Sequence, residues 1–312
     1  MSIINFIKVQ QQAIKLIEEK NYEEALILLE DAKVKFPNKL DRLGQWKAET
    51  YCLLGENEKA LYELNEVLEK GLWWNPVILK NFAQELGPLK ELEDFKLIIE
   101  KCREIYDLQK QSSKPDLKVK GNENAEIALF ALHWKGSNTD DFSQQLAEIN
   151  TSNEYLLGFP QSSQLLSHHC YSWDDPDIAK RDLVETFKQF KNRYNLKEKE
   201  NVILGASQGA KVAIEMTLDQ EILGVNRFIA IVPGFQDVKR TEYLIRNHSN
   251  KNIRGCIITG DKDPFYDQTL KIIDVLKSEN IPCKFIVQEG MGHTLPEDFP
   301  KVFQDALDYV MN

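Results

Sequence analysis

The stretch Val202-Ile203-Leu204-Gly205-Ala206-Ser207-Gln208-Gly209-Ala210-Lys211-Val212-Ala213 decides the fold. Apolar residues run into a glycine, a serine stands among small neighbours, and helix formers follow at once. A nucleophile at the tip of a sharp strand-to-helix turn needs small residues on both sides, because the backbone folds back against adjacent elements there. Gly205 and Gly209 supply that room. An ordinary glycine-rich turn is the bland alternative, and the strand-like run before it and the helical run after it argue against that.

The same pattern extends outward. Short apolar runs rich in branched residues occupy 125–132, 155–159, 201–204, 227–232, 253–259 and 283–288. Most alternate with helical stretches at 178–194, 208–216, 267–279 and 299–311. Strand and helix in alternation predict right-handed crossovers and an α/β fold whose mostly parallel sheet is covered by helices on both faces. Reactive groups in such sheets collect at the carboxyl ends of the strands.

A serine hydroxyl is a weak nucleophile until a base takes its proton. Among the five histidines, His293 sits in Glu289-Gly290-Met291-Gly292-His293-Thr294, after the last strand-like run and before the final helix, where a loop can lean over the sheet. The base needs an orienting carboxylate, and Gly260-Asp261-Lys262-Asp263-Pro264 offers two at the end of the preceding strand. Asp263 is the choice, with Asp261 a turn cap or the alternative orienter. Charge developing on a substrate oxygen requires preorganised donors. The backbone amide of Gln208, next after the serine, is one candidate. The other is the Lys135 amide in Leu132-His133-Trp134-Lys135-Gly136-Ser137, after the first core strand.

Residues 116–312 resemble the carboxylesterase/phospholipase group of α/β-hydrolases, which includes the acyl-protein thioesterases. The resemblance rests on Gly-Ala-Ser-Gln-Gly at 205–209, Gly-Asp-Lys-Asp-Pro at 260–264 and Gly-Met-Gly-His at 290–293, in that order. It implies a serine esterase or thioesterase with Ser207, Asp263 and His293 as the triad and no metal or organic cofactor. Trp134 departs from the pattern, standing where the group usually has glycine after the histidine; a need for that glycine would misform the oxyanion hole and favour an inactive hydrolase platform. A peptidase on the same triad is a further alternative.

The first third is helical in period throughout. Ala25, Leu29 and Ala32 recur as Ala60, Leu64 and Val67, then as Phe95, Ile99 and Cys102, a shift of 35 residues read directly from the numbering, and Leu16, Tyr51 and Leu86 align before them. Asn21-Tyr22-Glu23-Glu24-Ala25-Leu26, with Pro37 beyond, resembles the second helix of a tetratricopeptide repeat, and Glu56 to Leu61 repeats it. Gly44 and Lys47 replace large apolar residues of that pattern, Phe95 replaces a small one, and a plain helical-hairpin array is the alternative. The resemblance implies a surface for a protein or peptide partner. The expected organisation is a tetratricopeptide-like helical repeat domain at 1–108, a linker at 109–115 without apolar anchors and ending in Pro115, and an α/β-hydrolase domain at 116–312.

Composition narrows the partners. Asp and Glu number 49 against 39 Lys and Arg, a formal charge of −10, which disfavours nucleic acid and anionic membranes as ligands. No run is long enough to span a bilayer, and the N-terminus lacks the continuous apolar core of a signal peptide. Cys52, Cys102, Cys170, Cys256 and Cys283 are odd in number and widely spaced, so a reducing, cytoplasmic setting is expected. His168-His169-Cys170 is metal-like in composition, yet on an extended segment adjacent side chains would face opposite ways, and further ligands at a recurring spacing are missing. Tyr171 and Trp173 are expected in the core, Trp73 and Trp74 between repeats, and the Lys/Glu run at 196–200 in a solvated turn. The chain is thus expected to act on a small ester or thioester, or to be a repeat-based adaptor with an inactive hydrolase fold.

Overall fold

A computed structural model describes residues 6–219, 223–248 and 252–312, and the chain divides into two units at Ser112/Ser113. The first five residues of the stretch expected to be helical lie outside the described residues.

The first unit is built from helices α1 (Phe6–Glu18), α2 (Tyr22–Lys35), α3 (Leu40–Leu53), α4 (Asn57–Glu69), α5 (Pro76–Asn81) and α6 (Glu93–Ser112). The recurring positions all face inward: Ala25, Leu29 and Ala32 on α2, Ala60, Leu64 and Val67 on α4, and Phe95, Ile99 and Cys102 on α6 are buried. Burial of one apolar stripe per helix is what a 3.6-residue period demands. The third hairpin is irregular, because Leu86 lies in the 3-10 segment Gln84–Leu89, which carries Pro88 where an α-helix would need a free backbone N–H.

Two of the departures from the repeat pattern, Gly44 and Lys47, have a physical reason. A Cβ on Gly44 would stand 2.4 Å from Val67 Cγ2, so α3 approaches α4 too closely there for a larger residue. Lys47 is buried but bonded, its ammonium 2.8 Å from Glu63 and 2.5 Å from Glu30, while Lys33 reaches Glu63 at 2.6 Å and Glu66 at 3.0 Å. Burial alone would drive the Lys33 ammonium toward its neutral form; its bonds to Glu63 and Glu66 outweigh that and raise its pKa. Buried charge is tolerated only when paired in this way. Trp73 and Trp74 are buried, with the Trp74 indole N–H donating to the Asp41 carbonyl at 2.9 Å. Residues 109–112, expected in the linker, continue α6, leaving Ser113-Lys114-Pro115 before the first strand. No helix among the described residues is long and apolar enough to cross a membrane.

The second unit is an α/β-hydrolase fold. Its sheet has the order β1-β3-β2-β6-β7-β8-β9, formed by β1 (Asp116–Gly121), β2 (Ile127–Leu132), β3 (Tyr155–Gln161), β6 (Glu200–Ala206), β7 (Arg227–Ile231), β8 (Arg254–Gly260) and β9 (Cys283–Gln288). β1 pairs antiparallel with β3 and every other pair is parallel. β4 (Gln164–Ser167) and β5 (Cys170–Ser172) form a separate antiparallel pair. Among the described residues its α-helices are α7 (Thr139–Gln145), α8 (Pro176–Tyr194), α9 (Gln208–Leu218), α10 (Lys239–Asn247), α11 (Tyr266–Ser278) and α12 (Phe299–Met311).

Strand alternation divides the core between two faces. Leu129, Ala131, Val202, Leu204, Ile229, Ile231 and Ile258 pack with Phe303, Ala306 and Leu307 of α12. Their neighbours Ala128, Phe130, Leu132 and Ile203 pack with Leu183 and Phe187 of α8 and Val212 of α9, while Phe228, Ala230 and Ile257 meet Ile214 of α9 and Ile272 of α11. Both faces are covered, so interior strands read as continuous apolar runs.

Candidate active site

Ser207 follows β6 and caps α9 with φ 53° and ψ −118°, a conformation that non-glycine residues rarely adopt. Its amide donates to the Ile231 carbonyl at 2.9 Å and its carbonyl accepts from Gly234 N–H at 2.9 Å, bonds that hold the strained turn. A Cβ on Gly205 would lie 2.3 Å from the Gly209 carbonyl oxygen, and one on Gly209 would lie 2.4 Å from that of Leu132, so side chains at either position would force the turn open.

The three residues named for catalysis meet here. His293 Nε2 lies 2.8 Å from Ser207 Oγ, and His293 Nδ1 lies 2.8 Å from Asp263 Oδ2. With Nδ1–H donating to a carboxylate, Nε2 keeps its lone pair free to accept the serine proton. The Asp263 side chain is 1% exposed and its Oδ1 accepts from Phe265 N–H at 2.7 Å, so its orientation is fixed from both oxygens. Asp261 has another partner: its Oδ1 accepts from Gly290 N–H at 2.6 Å, tying β8 to the loop that carries His293. The rings of Trp134 and Phe265 pack edge-on against His293 at 5.6 and 5.2 Å between centroids.

The amides of Lys135 and Gln208 make no hydrogen bond among the described residues, as an oxyanion site requires. Trp134 does not take a positive φ, so its backbone needs no glycine; its indole N–H donates to Gln145 Oε1 at 2.8 Å and the side chain packs on the core. His133, ahead of it, is fully buried, and its Nδ1 lies 2.8 Å from the Trp134 carbonyl oxygen. Burial holds its pKa down at about 4. The Trp173 indole N–H donates to the His133 carbonyl at 3.0 Å, which anchors the loop from the other side.

One arrangement has no sequence motif behind it. Asp174 Oδ1 accepts from Lys135 Nζ at 2.6 Å and from Gln208 Nε2 at 2.8 Å, while Gln208 Oε1 accepts from Trp173 N–H at 2.8 Å. Burial would raise the Asp174 pKa, but the bonds from Lys135 and Gln208 outweigh it and hold the carboxyl below its ordinary value. Only the proximity of Trp173 and Asp174 to one another is visible in the chain; their reach to residues 34 or more positions away is not.

A cavity of about 190 Å³ opens beside Ser207, with Trp173, Met216, Val212 and Phe265 as apolar walls and Lys135, Asp174, Lys211, Glu215, Gln236 and Arg240 as polar ones. The segment between β7 and β8 contributes Gly234, Gln236 and, from α10, Arg240. His168 and His169 lie in the turn between β4 and β5, not on an extended segment: His169 has φ 46° and the rings stack edge-on at 4.4 Å. Among the described residues no group of three or more His, Cys, Asp or Glu side chains is placed to hold a metal ion.

Residues 5–110 match the family model of the A/B hydrolase-like N-terminal domain. Along 98% of its length the chain is similar to the crystal structure of an uncharacterized protein from Bacillus cereus ATCC 10987, at 26% identity and a TM-score of 0.54 over 99% of that protein. A structure described as esterase PE8 matches 63% of the chain and 99% of its own length, at 17% identity and a TM-score of 0.51. No curated protein matches the chain.

Proposed function

We propose that the chain is a serine hydrolase that cleaves carboxylic esters or thioesters through an acyl-enzyme. The observation that carries this reading is the contact series Ser207 Oγ, His293 Nε2, His293 Nδ1, Asp263 Oδ2, with both polar contacts at 2.8 Å between residues from three separate loops. His293 takes the hydroxyl proton as Ser207 Oγ attacks the carbonyl carbon, and Asp263 stabilises the imidazolium that forms. The Gln208 and Lys135 amides receive the oxyanion. Collapse of the tetrahedral species expels the alcohol or thiol, which leaves with the proton from His293, and water repeats the sequence to free the acid. Esterase PE8, which shares the fold, agrees in its description with ester chemistry.

The helical unit is read as a tetratricopeptide-like module for a protein or peptide partner, supported by the 35-residue recurrence of buried positions. A cytoplasmic setting agrees with the five free cysteines.

A fluorophosphonate probe tests the assignment. Labelling is expected on Ser207 and lost in Ser207→Ala, and His293→Ala is expected to lower kcat on a 4-nitrophenyl ester by about 10⁴-fold or more. Undiminished labelling of Ser207→Ala would remove Ser207 from the mechanism.

A further inference from the structure

We propose that the cavity beside Ser207 takes a substrate carrying an anionic oxygen group, a carboxylate or a phosphate, a short chain away from its scissile carbonyl, and that Lys211 and Arg240 recognise that group. The inference rests on the serine-hydrolase reading and adds the class of substrate.

Ser207, Lys211 and Glu215 recur every four residues at and along α9, so they fall on one face, each about 6 Å further along the axis. All three line the cavity, and Arg240 joins them from α10. The Glu215 side chain is 4% exposed and fully engaged: Oε1 accepts from Thr241 Oγ1 at 2.7 Å, Arg240 Nε lies 3.3 Å from Oε2, and Lys211 Nζ lies 3.9 Å from Oε1. One carboxylate therefore serves two cations. The Lys211 ammonium and the terminal nitrogens of Arg240 make no hydrogen bond among the described residues. Lys135, also in the lining, is matched by Asp174 at 2.6 Å. Cations thus exceed carboxylates by one in this lining, although the whole chain carries −10. Asp263 is screened from Ser207 by the imidazole between them.

Lys211, with 26% of its side chain exposed, is a partly desolvated cation without a full counter-charge, which an incoming anion would relieve, and the more open Arg240 stands where it can meet the same anion. The planar fork of Arg240 suits a carboxylate or phosphate, and Lys211 adds a point charge beside it. The spacing of about 6 Å from Ser207 to Lys211 along the helix suits an acyl chain of four or five atoms. The apolar walls Trp173, Val212 and Met216 would pack on that chain.

The test compares kcat/KM for mono(4-nitrophenyl) glutarate and 4-nitrophenyl valerate, which share leaving group and chain length and differ in the terminal carboxylate. The full chain is expected to favour the glutarate hemiester. Arg240→Gln and Lys211→Met, changes on two different walls, are each expected to reduce that preference about tenfold, chiefly through KM. Lys239→Met, an exposed neighbour outside the cavity, serves as the control for bulk charge and is expected to leave the ratio unchanged. Cleavage of the valerate ester with no preference for the hemiester, or equal ratios in all three variants, would overturn the inference and leave the hydrolase reading standing. Failure to cleave either ester together with no fluorophosphonate labelling of Ser207 would overturn both.

Discussion

Asp174 gathers the side chains of Lys135 and Gln208, the two residues whose backbone amides are proposed to receive the oxyanion. Its carboxylate is a positioning group, acting through the loop and helix end it joins. Both it and Lys135 are about half exposed, so their ion pair adds little to stability. Asp174→Ala is therefore expected to lower kcat about tenfold with KM and Tm nearly unchanged, and Asp174→Asn, which retains an acceptor for Gln208, to recover part of the loss. A parallel fall in Tm and activity would mark Asp174 as structural only. His133 makes a second prediction, in stability. Its folded pKa of about 4 lies below the ordinary histidine value, so as pH falls the unfolded chain takes up the proton first. The contribution is intact above about pH 6.5 and is lost progressively toward pH 4, amounting to about 2 kcal/mol between pH 7 and pH 5. Urea unfolding at the two values should show a correspondingly smaller acid-induced drop in His133→Gln than in the unaltered chain.

At the scale of elements, the interior of the sheet is legible in the sequence because parallel strands buried on both faces leave unbroken apolar runs, as at Val202-Ile203-Leu204 and Phe228-Ile229-Ala230. The missed elements lack that signature. β1 reads Leu117-Lys118-Val119-Lys120, an alternation of only four residues just after a proline, too short to stand out as a strand. β4 and β5 are too short to show a period, and α10 holds few buried residues, Thr241 and Ile245 among them. Ser207, Asp263 and His293 can be named in advance because each stands in a short glycine-marked motif at a strand end. Asp174 and Arg240 cannot, since their partners lie on other elements and only folding brings them within reach, and Lys211 stands in no motif of its own.

For the molecule as a whole, the two units keep separate accounts of charge and apolar surface. The helical unit buries Lys33, Lys47 and Glu63 as a bonded cluster, whereas in the sheet unit the two faces of the sheet are packed with aliphatic and aromatic groups. The sheet, however, ends in β1 on one side and β9 on the other. An outermost strand offers unpaired N–H and C=O groups to any extended chain nearby. Lys118 and Lys120 on β1, and Lys284 on β9 just after Pro282, set charge and a missing N–H along those borders. Replacing Lys118 and Lys120 together by threonine should leave ester turnover intact in dilute solution yet promote self-association as concentration rises, detectable as growth of large species by light scattering. Two lysines that touch no substrate would then be guardians of solubility, keeping a molecule built on an open ribbon of strands from becoming a template for its own copies.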